Sequence, residues 1–578
     1  MDYKKDYKKL AKPLDGLWKK YVEVGYGDDG VLNKFVPTIP DSFNFAYDII
    51  DEYAAIAPNA RCIEWLSEKQ EKHTYSFKEI SLLSNQAANL FKSHGIKKGD
   101  MVILVLKRNQ QFWIAFYGLM KLGAIIIPAT HMLTAHDFEY RIKSATVTAA
   151  VVSADNPEIA SFLNEGDKQT NLVKTRFVAN LSAPRNIGQT APDGFLDFDT
   201  LLKTQPDTFT RVPSDSHENM IIYFSSGTTG YPKMVLHNHR YPVWHFITAL
   251  WHNCSLGGLH FTIADTGWGK AAWGKLFGQQ AMGSAVFVYD YDKFVPHDIL
   301  TLIADYKITT FCAPPTMYRF FIKEGLEKYD ISCLEYLNTA GEAINEIVFT
   351  TFYEKTGMKI MEGFGQTETV LALANFPGSI PKPGSMGKPA PLYDLALTDD
   401  EGNPVSTGDI GVISIKLHSP DTEGMFTQYY RDPEKTAACQ LNGYYRTGDL
   451  AYKDEDGYYW FVGRDDDIIK SSGYRIGPFE VESVIMTHEA VLECAVTGAP
   501  DPVRGSAVKA TVVLTKEYAE QYAGYSDEQK AELVKEIQTH VKKNTAPYKY
   551  PRIVEFVAEL PKTISGKIRR VDIRKGDE

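Results

Sequence analysis

The stretch SSGTTGYPK, residues 225–233, follows directly on the apolar run MIIYF at 220–224. Small residues, hydroxyls and one cation therefore stand where a buried strand is expected to end. Gly227 and Gly230 permit unusual backbone angles, and the free N–H groups of such a loop can form an anion-binding nest. The side-chain donors are Ser225, Ser226, Thr228, Thr229 and the cation Lys233. The stretch predicts a loop that wraps phosphates.

This stretch differs from the Walker pattern, in which Lys directly follows Gly and precedes Ser or Thr. Here Tyr231 and Pro232 separate Gly230 from Lys233, and Met234 comes next. An ordinary P-loop NTPase is therefore disfavoured. Nine residues alone fit a flexible surface loop equally well, so the rest of the chain must decide.

Composition describes a globular enzyme of several domains. The chain has 578 residues, 44% apolar and 23% charged, with a net charge of −11, which argues against general nucleic-acid binding. Residues 542–575 are the exception, with ten Lys and Arg against three acids. This basic patch suits a small polyanion such as a nucleotide or coenzyme A, although a solvated C-terminal face is the simpler interpretation of charge alone.

Cysteine usage and the first residues bear on localisation. The six cysteines show no C-x-x-C spacing, which indicates neither a zinc site nor a disulfide framework and fits a reducing compartment. Residues 1–20 mix Lys with Asp and lack the apolar segment of a secretory signal. No apolar run approaches the ~20 residues that span a bilayer. We expect a cytoplasmic protein without a membrane span, and the oligomeric state stays open.

Alternating helix and strand signals predict an α/β fold. Ser76 and Glu79 form a capping box, and 101–106 (MVILVL) and 124–127 read as buried strands around a helix at 110–121. The alternation recurs over 220–365 and predicts βα-layered subdomains. Turn signals and alternating residues between 381 and 462 then predict a small β-rich subdomain. Together these form a large N-terminal domain, residues 1–463.

Residues 464–578 are predicted to form a small, mobile α+β C-terminal domain. Its clearest helix begins at a capping box of Ser526 with Gln529 and presents an apolar face. Gly463, Gly473 and the acidic triplet 465–467 make the junction a candidate hinge. The alternative is an extension of the main core.

Six further motifs occur in a fixed order after the phosphate loop. They are TAGEAI (339–344), EGFGQTET (362–369), YRTGDL (445–450), VGRDDDIIKSSGYRIGPFEVE (462–482), APYKYPR (546–552) and PKTISGKIRR (561–570). With SSGTTGYPK, they resemble the adenylate-forming (AMP-binding) superfamily over nearly the whole chain. DTGW at 265–268 and the forms of the last motifs are most similar to medium-chain acyl-CoA synthetases.

This resemblance implies a reaction in two steps. A carboxylate attacks the α-phosphate of ATP to give acyl-AMP and pyrophosphate, and the thiol of coenzyme A then displaces AMP. Because the first step joins two anions, preorganised donors and cations must neutralise charge around phosphorus. ATP, Mg²⁺ and coenzyme A are the implied cofactors, and a small carboxylic acid is the partner.

The resemblance assigns nucleotide-binding roles. Residues 225–233 would hold the β- and γ-phosphates, Thr367 the α-phosphate, and Glu368 the Mg²⁺, a hard cation that prefers carboxylate and phosphate oxygens. Asp449 would accept hydrogen bonds from the ribose hydroxyls, assisted by Arg464. Arg475 would meet phosphate. The walls around the nucleotide would be Gly341, Glu342, Ala343, Glu362, Gly363, Phe364, Gly365 and Gln366.

The C-terminal domain would supply the catalytic cation and the coenzyme site. By resemblance, Lys567 bridges the incoming carboxylate and the α-phosphate, and Asp466 is the pivot that withdraws it after adenylation. The residues that would then contact coenzyme A are Ser472, Gly473, Tyr474, Arg504, Lys542 and Tyr550. Met132 stands where animal medium-chain enzymes carry a glutamine, so coenzyme contacts on that side depart from the family pattern.

The acyl pocket would lie beside Gly365, where acetyl-specific relatives carry a bulky Trp. Glycine there favours acids longer than acetate, that is short-to-medium-chain, branched or aromatic acids, with Trp268 as a wall or as plain core packing. Two alternatives stay open: an adenylase that loads another thiol acceptor such as a carrier protein, and a nucleotide-binding regulator without chemistry.

Overall fold

The computed structural model describes residues 16–225, 231–418, 422–471, 474–502, 504–562 and 568–575, with the side chain of Arg475 also left out. Within these ranges the chain forms two large mixed sheets, a smaller antiparallel sheet and a C-terminal α+β unit. The predicted α/β architecture is therefore confirmed.

The first sheet contains the antiparallel strands Asn219–Ser225 and Lys233–Asn238, which flank the predicted phosphate loop and which we call the phosphate-loop hairpin. Its eight strands lie in the order Gln428–Tyr429, Lys233–Asn238, Asn219–Ser225, Ile125–Pro128, Met101–Val105, Ala149–Ser153, Thr175–Ala179 and Leu196–Asp197. The five strands from Ile125–Pro128 to Leu196–Asp197 are parallel to one another. Its main helices are Phe77–Ser93, Gln111–Leu122, Ala135–Ala145 and Pro157–Asp167. The predicted strands at 101–106 and 124–127 are thus confirmed.

The second sheet delivers the next two motifs. Its nine strands lie in the order Lys388–Pro389, Leu371–Ala374, Ile360–Gly365, Tyr336–Thr339, Thr310–Cys312, Leu259–Thr262, Ala285–Asp290, Arg61–Ser67 and Lys72–Ser76. The strands Tyr336–Thr339 and Ile360–Gly365 are parallel neighbours. Their carboxyl ends, which begin TAGEAI and complete EGFG, therefore meet at one edge, where open α/β sheets bind ligands.

Helices of the second sheet and of the shared core complete the N-terminal region. They are Glu52–Ile56, Phe198–Leu202, Tyr241–Trp244, Phe246–Trp251, Lys270–Gly274, Gly278–Ala281, Pro296–Tyr306, Pro315–Glu324 and Glu346–Thr356. The largest apolar cluster joins residues of both sheets, among them Trp113, Trp251 and Trp273. The two sheets are held by one core, which fixes the phosphate-loop hairpin relative to the carboxyl ends of the second sheet.

The small β-rich subdomain is also present. Its strands are Leu395–Thr398, Ile410–Lys416, Gln440–Leu441, Tyr444–Lys453 and Tyr459–Arg464. In the chain, the helix Pro433–Ala438 lies between the edge strand Gln428–Tyr429 of the first sheet and Gln440–Leu441. The strand Tyr459–Arg464 pairs antiparallel with Tyr444–Lys453, which places Asp449 opposite Arg464. The last strand ends at the predicted domain boundary, and the boundary itself stays a prediction.

The C-terminal unit has its own sheet and core. Val491–Asp501, Gly505–Leu514 and Ile553–Phe556 form a three-stranded sheet, and Ile469–Ser471 pairs with Tyr474–Ile476. The helices are Pro478–Ile485, Lys516–Tyr522, Asp527–Asn544 and Arg570–Lys575. The capping boxes predicted at Ser76 and Ser526 are both formed. No helix in the described ranges is long and apolar enough to cross a bilayer.

Backbone contact at Gly267 gives a testable constraint. A Cβ at Gly267 would lie 2.3 Å from the carbonyl carbon of Ala129 and from the nitrogen of Thr130, whereas a Cβ at Gly269 meets nothing closer than 3.5 Å. We expect Gly267→Ala to destabilise the protein by about 1–3 kcal/mol, the cost of overpacking, and Gly269→Ala to be near neutral. Thermal unfolding measures both, and equal midpoints for the two variants would contradict the close approach.

Candidate active site

The phosphate-loop hairpin is anchored on both sides of the loop. Ser225 pairs with Lys233 across its base. Tyr231 stacks on Tyr140 with ring centroids 4.4 Å apart, and the Tyr140 hydroxyl donates to the carbonyl of Pro232 at 2.9 Å. These contacts fix where the loop begins and ends. The predicted donors Ser226, Gly227, Thr228, Thr229 and Gly230 lie outside the described residues.

Tyr429 joins the loop cation to the predicted metal ligand. Its hydroxyl donates to Oε1 of Glu368 at 2.8 Å. Lys233 Nζ lies 4.9 Å from the Tyr429 ring centroid and 3.4 Å from the hydroxyl oxygen. Burial, reinforced by the carboxylate of Glu368, raises the pKa of Tyr429 far above its ordinary value. The phenol therefore stays protonated and holds the carboxylate on one side with the ammonium on the other.

His237 fixes the backbone of the predicted α-phosphate ligand. Its Nε2 lies 2.8 Å from the carbonyl oxygen of Thr367, and its ring stacks on Tyr241. Complete burial lowers the pKa of His237 to about 3, so the ring is neutral and Nε2–H donates. The N–H of Phe426 donates to the carbonyl of Glu368 at 2.7 Å. Both residues of the 367–368 pair are thus held by their main chain.

Asp449 lies at the centre of a polar cluster. Gln366 Nε2 donates to Oδ2 of Asp449 at 2.6 Å and to the carbonyl of Thr447 at 2.9 Å. Arg464 NH1 approaches Oδ1 of Asp449 at 3.5 Å. Burial alone would lower the pKa of Arg464, but the carboxylates of Asp449 and Asp466 raise it. Asp449, Gln366 and Arg464, predicted from three separate motifs, are brought together.

The predicted nucleotide walls lie at the ends of two neighbouring strands. Gly341 has φ +101°, a conformation that favours glycine. Oε2 of Glu342 accepts a hydrogen bond from Thr316 at 3.2 Å. Burial raises the pKa of Glu362 well above its ordinary range, and its Oε2 has no hydrogen-bond partner among the described residues. Ala343 and Phe364 are both half-buried.

Two tryptophans occupy the space beside the glycines of EGFG. A Cβ at Gly363 would lie 2.7 Å from the Trp251 ring, and a Cβ at Gly365 would lie 2.7 Å from the Trp273 ring and 2.2 Å from the carbonyl oxygen of Val370. The glycine at 365 thus admits a tryptophan from another part of the chain. Trp268, the predicted wall, is half-buried. The sequence argument missed Trp273, which is five residues further on.

The loop before Trp273 lies against the α-phosphate ligand. A Cβ at Gly269 would lie 3.5 Å from the Thr367 side chain. The DTGW segment is therefore next to Thr367, and the helix Lys270–Gly274 carries Trp273 from there to Gly365. One continuous segment borders both the predicted phosphate site and the predicted acyl site.

The predicted coenzyme residues fall in two groups on the C-terminal unit. Tyr474 stacks on Tyr548 with centroids 4.1 Å apart. Lys542 Nζ lies 3.9 Å from the Tyr550 ring centroid. Arg504 pairs with Asp501 at a strand turn, and no contact joins it to either group in the described chain. Ser472, Gly473 and the catalytic candidate Lys567 lie outside the described residues, as does the side chain of Arg475.

The hinge candidate Asp466 lies in a short 3₁₀ turn between the last strand of the β-rich subdomain and the C-terminal unit. Its Oδ1 is 3.3 Å from Nε of Arg464. The side chain of Met132 is 45% exposed, so the position that departs from the family pattern faces solvent.

The donor set fits a hard cation that is held mainly by phosphate. Among the described residues, no group of three or more His, Cys, Asp or Glu side chains is arranged to bind a metal. Mg²⁺ is commonly held by one or two carboxylates together with substrate phosphates. Glu368, next to the phosphate-loop cation, supplies such a carboxylate, and Mg²⁺ there would neutralise phosphate charge.

Comparison with known proteins gives the family. The model of the AMP-binding enzyme family matches residues 50–430, and that of the AMP-binding enzyme C-terminal domain matches residues 480–567. The chain therefore belongs to the AMP-binding enzyme family. The predicted resemblance is confirmed.

Relatives that match nearly the whole chain narrow the class of enzyme. The chain is 39% identical over 549 residues to the human mitochondrial acyl-coenzyme A synthetase ACSM3, covering 93% of this chain and 90% of the relative. It is 38% identical to mouse mitochondrial ACSM4, covering 98% and 96%. The crystal structure of the anthranilate CoA ligase AuaEII with anthranoyl-AMP superposes with a TM-score of 0.81 at 29% identity, covering 93% and 98%. These findings support an AMP-forming acid–thiol ligase that uses ATP, Mg²⁺ and coenzyme A.

The ribose assignment can be tested at Asp449. We expect Asp449→Asn to raise the KM for ATP roughly tenfold, because a charge-assisted hydrogen bond contributes about 1.5–3 kcal/mol and 1.4 kcal/mol is a factor of ten. Asp454→Asn is the control, since Asp454 binds Lys382 in a neighbouring turn. Steady-state kinetics with varied ATP provides the measurement. An equal change in KM for both variants would contradict the assignment.

Proposed function

We propose that this chain joins short-to-medium-chain, branched or aromatic carboxylic acids to coenzyme A through an acyl-AMP intermediate. The observation that carries the proposal is the pairing of Lys233 and Glu368 across Tyr429, directly beside Thr367. A cation and a metal-binding carboxylate at one phosphate loop suit the charge of a bound triphosphate.

In the first step a carboxylate oxygen attacks the α-phosphorus, and the bond from that phosphorus to the bridging oxygen breaks. Pyrophosphate leaves with the electron pair. Lys233 neutralises charge on the leaving group, and the Thr367 segment, held by His237, orients the α-phosphate. Lys567 is proposed to bridge the attacking carboxylate and the α-phosphate.

In the second step the thiol of coenzyme A attacks the acyl carbonyl carbon. The carbon–oxygen bond to AMP breaks, AMP leaves, and the thiol proton passes to solvent. The C-terminal unit is proposed to turn about Asp466 between the steps, which replaces Lys567 by the 472–474 segment. Tyr474, exposed and stacked on Tyr548, and Lys542 against Tyr550 support a coenzyme site on this unit.

The role of Lys567 is tested by separating the two steps. We expect Lys567→Ala to reduce acyl-AMP formation, read as pyrophosphate release, by about 100-fold or more, because positioning and charge stabilisation act in that step. Thioester formation from supplied acyl-AMP and coenzyme A should be largely retained. Lys562→Ala is the control, since Lys562 binds Glu493 near the same loop.

Equal loss of both half-reactions in Lys567→Ala would overturn that role. The wild-type products test the function itself: AMP with pyrophosphate and an acyl-CoA thioester are expected from free coenzyme A. Adenylation without thioester formation would favour a carrier-loading adenylase. Neither product from a mixed acid panel would favour a nucleotide-binding regulator, and ADP would indicate a kinase.

Trp273 is proposed as the residue that limits acyl length, because its ring fills the space beside Gly365. We expect Trp273→Ala to raise the ratio of kcat/KM for decanoate to that for butyrate by about 10-fold or more, since each methylene in an apolar pocket changes binding by ~1–3 kcal/mol. Trp268→Ala distinguishes the two tryptophans. A shift in chain-length preference in Trp268→Ala alone would make Trp268 the wall.

We infer a cytoplasmic location, which the six free cysteines support as a reducing compartment. The mitochondrion, named for the human and mouse relatives, is the alternative. Fractionation of cells that express the full chain distinguishes the two compartments.

A further inference from the structure

A buried ion pair ties the last described helix to the C-terminal unit. Nη2 of Arg570 lies 2.7 Å from Oε1 and 2.8 Å from Oε2 of Glu482, and its Nε lies 3.2 Å from Oε1. Glu482 is only 4% exposed, and its Oε1 also accepts the N–H of Val496 at 2.8 Å. Such a carboxylate has its position fixed from two directions.

A second ion pair reaches the junction itself. NH1 of Arg574 lies 2.8 Å from Oδ1 of Asp467, and NH1 of Arg570 lies 3.7 Å from its Oδ2. The Asp467 side chain is only 10% exposed. Asp467 directly follows Asp466, so the helix Arg570–Lys575 holds the first residue after the proposed pivot.

The same helix lies immediately after the segment of Lys567. The described residues on the two sides of this segment pair with each other. The N–H of Arg569 donates to the carbonyl of Pro561 at 2.8 Å, and Lys562 and Ile568 form an antiparallel β-bridge. Ile573 is buried in a small cluster with Ala495 and Val513. Ile568 and Arg569, the first described residues after Lys567, therefore lead directly into a helix that Arg570 and Arg574 tie to the C-terminal unit.

We propose that Asp467, Glu482, Arg570 and Arg574 form a hinge clamp that sets the position of the Lys567 segment relative to the pivot. The four are positioning residues for adenylation, since none is placed at the substrate. The clamp adds a direct link from the residue after the pivot to the helix that follows Lys567. The inference rests on the proposed function, because it assigns Lys567 to the first half-reaction.

The charges of the clamp favour this role over simple stabilisation. Glu482 and Arg570 would satisfy a buried pair by themselves, with Val496 as an additional donor. Arg574 instead forms an ion pair with Asp467, which is 107 residues away in the chain and next to the proposed pivot. Buried ion pairs add little net stability, and in some proteins their role is to specify geometry.

The test compares half-reactions in full-length variants Arg574→Gln and Asp467→Asn. We expect each to slow pyrophosphate release by roughly 10- to 100-fold, the scale on which a small misplacement of a catalytic group acts. The rate of thioester formation from supplied acyl-AMP should change less than about twofold, because Lys567 acts only in the first step. Arg574→Lys keeps the charge and should restore most of the adenylation rate.

The matched control is Arg569→Gln, since Arg569 pairs with Asp572 on the same helix and lies outside the clamp. Both its half-reactions should equal those of the wild type. Equal losses in the two half-reactions of Arg574→Gln and Asp467→Asn, or no loss in either, would overturn the clamp. A wild-type protein that releases no pyrophosphate with any acid would instead overturn the proposed function and the clamp with it.

Discussion

The hydroxyl of Tyr429, bonded to Glu368 and lying beside Lys233, is the interaction on which the site depends. It joins the phosphate-loop hairpin of the first sheet to the motif that leaves the second sheet. Tyr429 reaches this position because its short strand pairs with Lys233–Asn238 at the edge of the first sheet. One phenol thereby contacts both the proposed metal-binding carboxylate and the proposed phosphate-binding cation.

The nucleoside end of the site follows from strand register. Asp449 pairs with Arg464 across two antiparallel strands of the small sheet, and Gln366 reaches Asp449 from the second sheet. The carboxylate is thus oriented by residues of two sheets before any ligand binds. Preorganised groups of this kind lower the entropy cost of binding a ligand. Arg464, which pairs with Asp449, precedes the proposed pivot Asp466 by two residues.

Much of the fold could be predicted from the sequence, because it depends on residues that are close together in the chain. The capping boxes at Ser76 and Ser526, the buried strands at 101–106 and 220–224 and the β-rich subdomain depend on neighbouring residues, and all are present. Tyr429, His237 and Trp273 could not be found in the same way. Each acts on a residue of another motif, between 61 and 130 positions away, and nothing near it in the chain records that contact.

Gly365 shows the same limit most clearly. The missing side chain predicts open space, but the indole of Trp273, on the helix Lys270–Gly274, lies in that space. A glycine in the sequence shows only that this position has no side chain. Because protein interiors are close-packed, a side chain from elsewhere in the chain can occupy the space. The proposed chain-length limit therefore depends on Trp273 packed beside Gly365, and Gly365 alone does not reveal it.

The proposed mechanism depends on one binding mode for ATP. A crystal structure with a non-hydrolysable ATP analogue and Mg²⁺ tests that binding mode most directly. The mechanism predicts the β- and γ-phosphates within hydrogen-bond reach of Lys233, the metal on Glu368 and the ribose hydroxyls on Asp449. A triphosphate bound away from Lys233 and Glu368, with Asp449 still bonded only to Gln366 and Arg464, would contradict it.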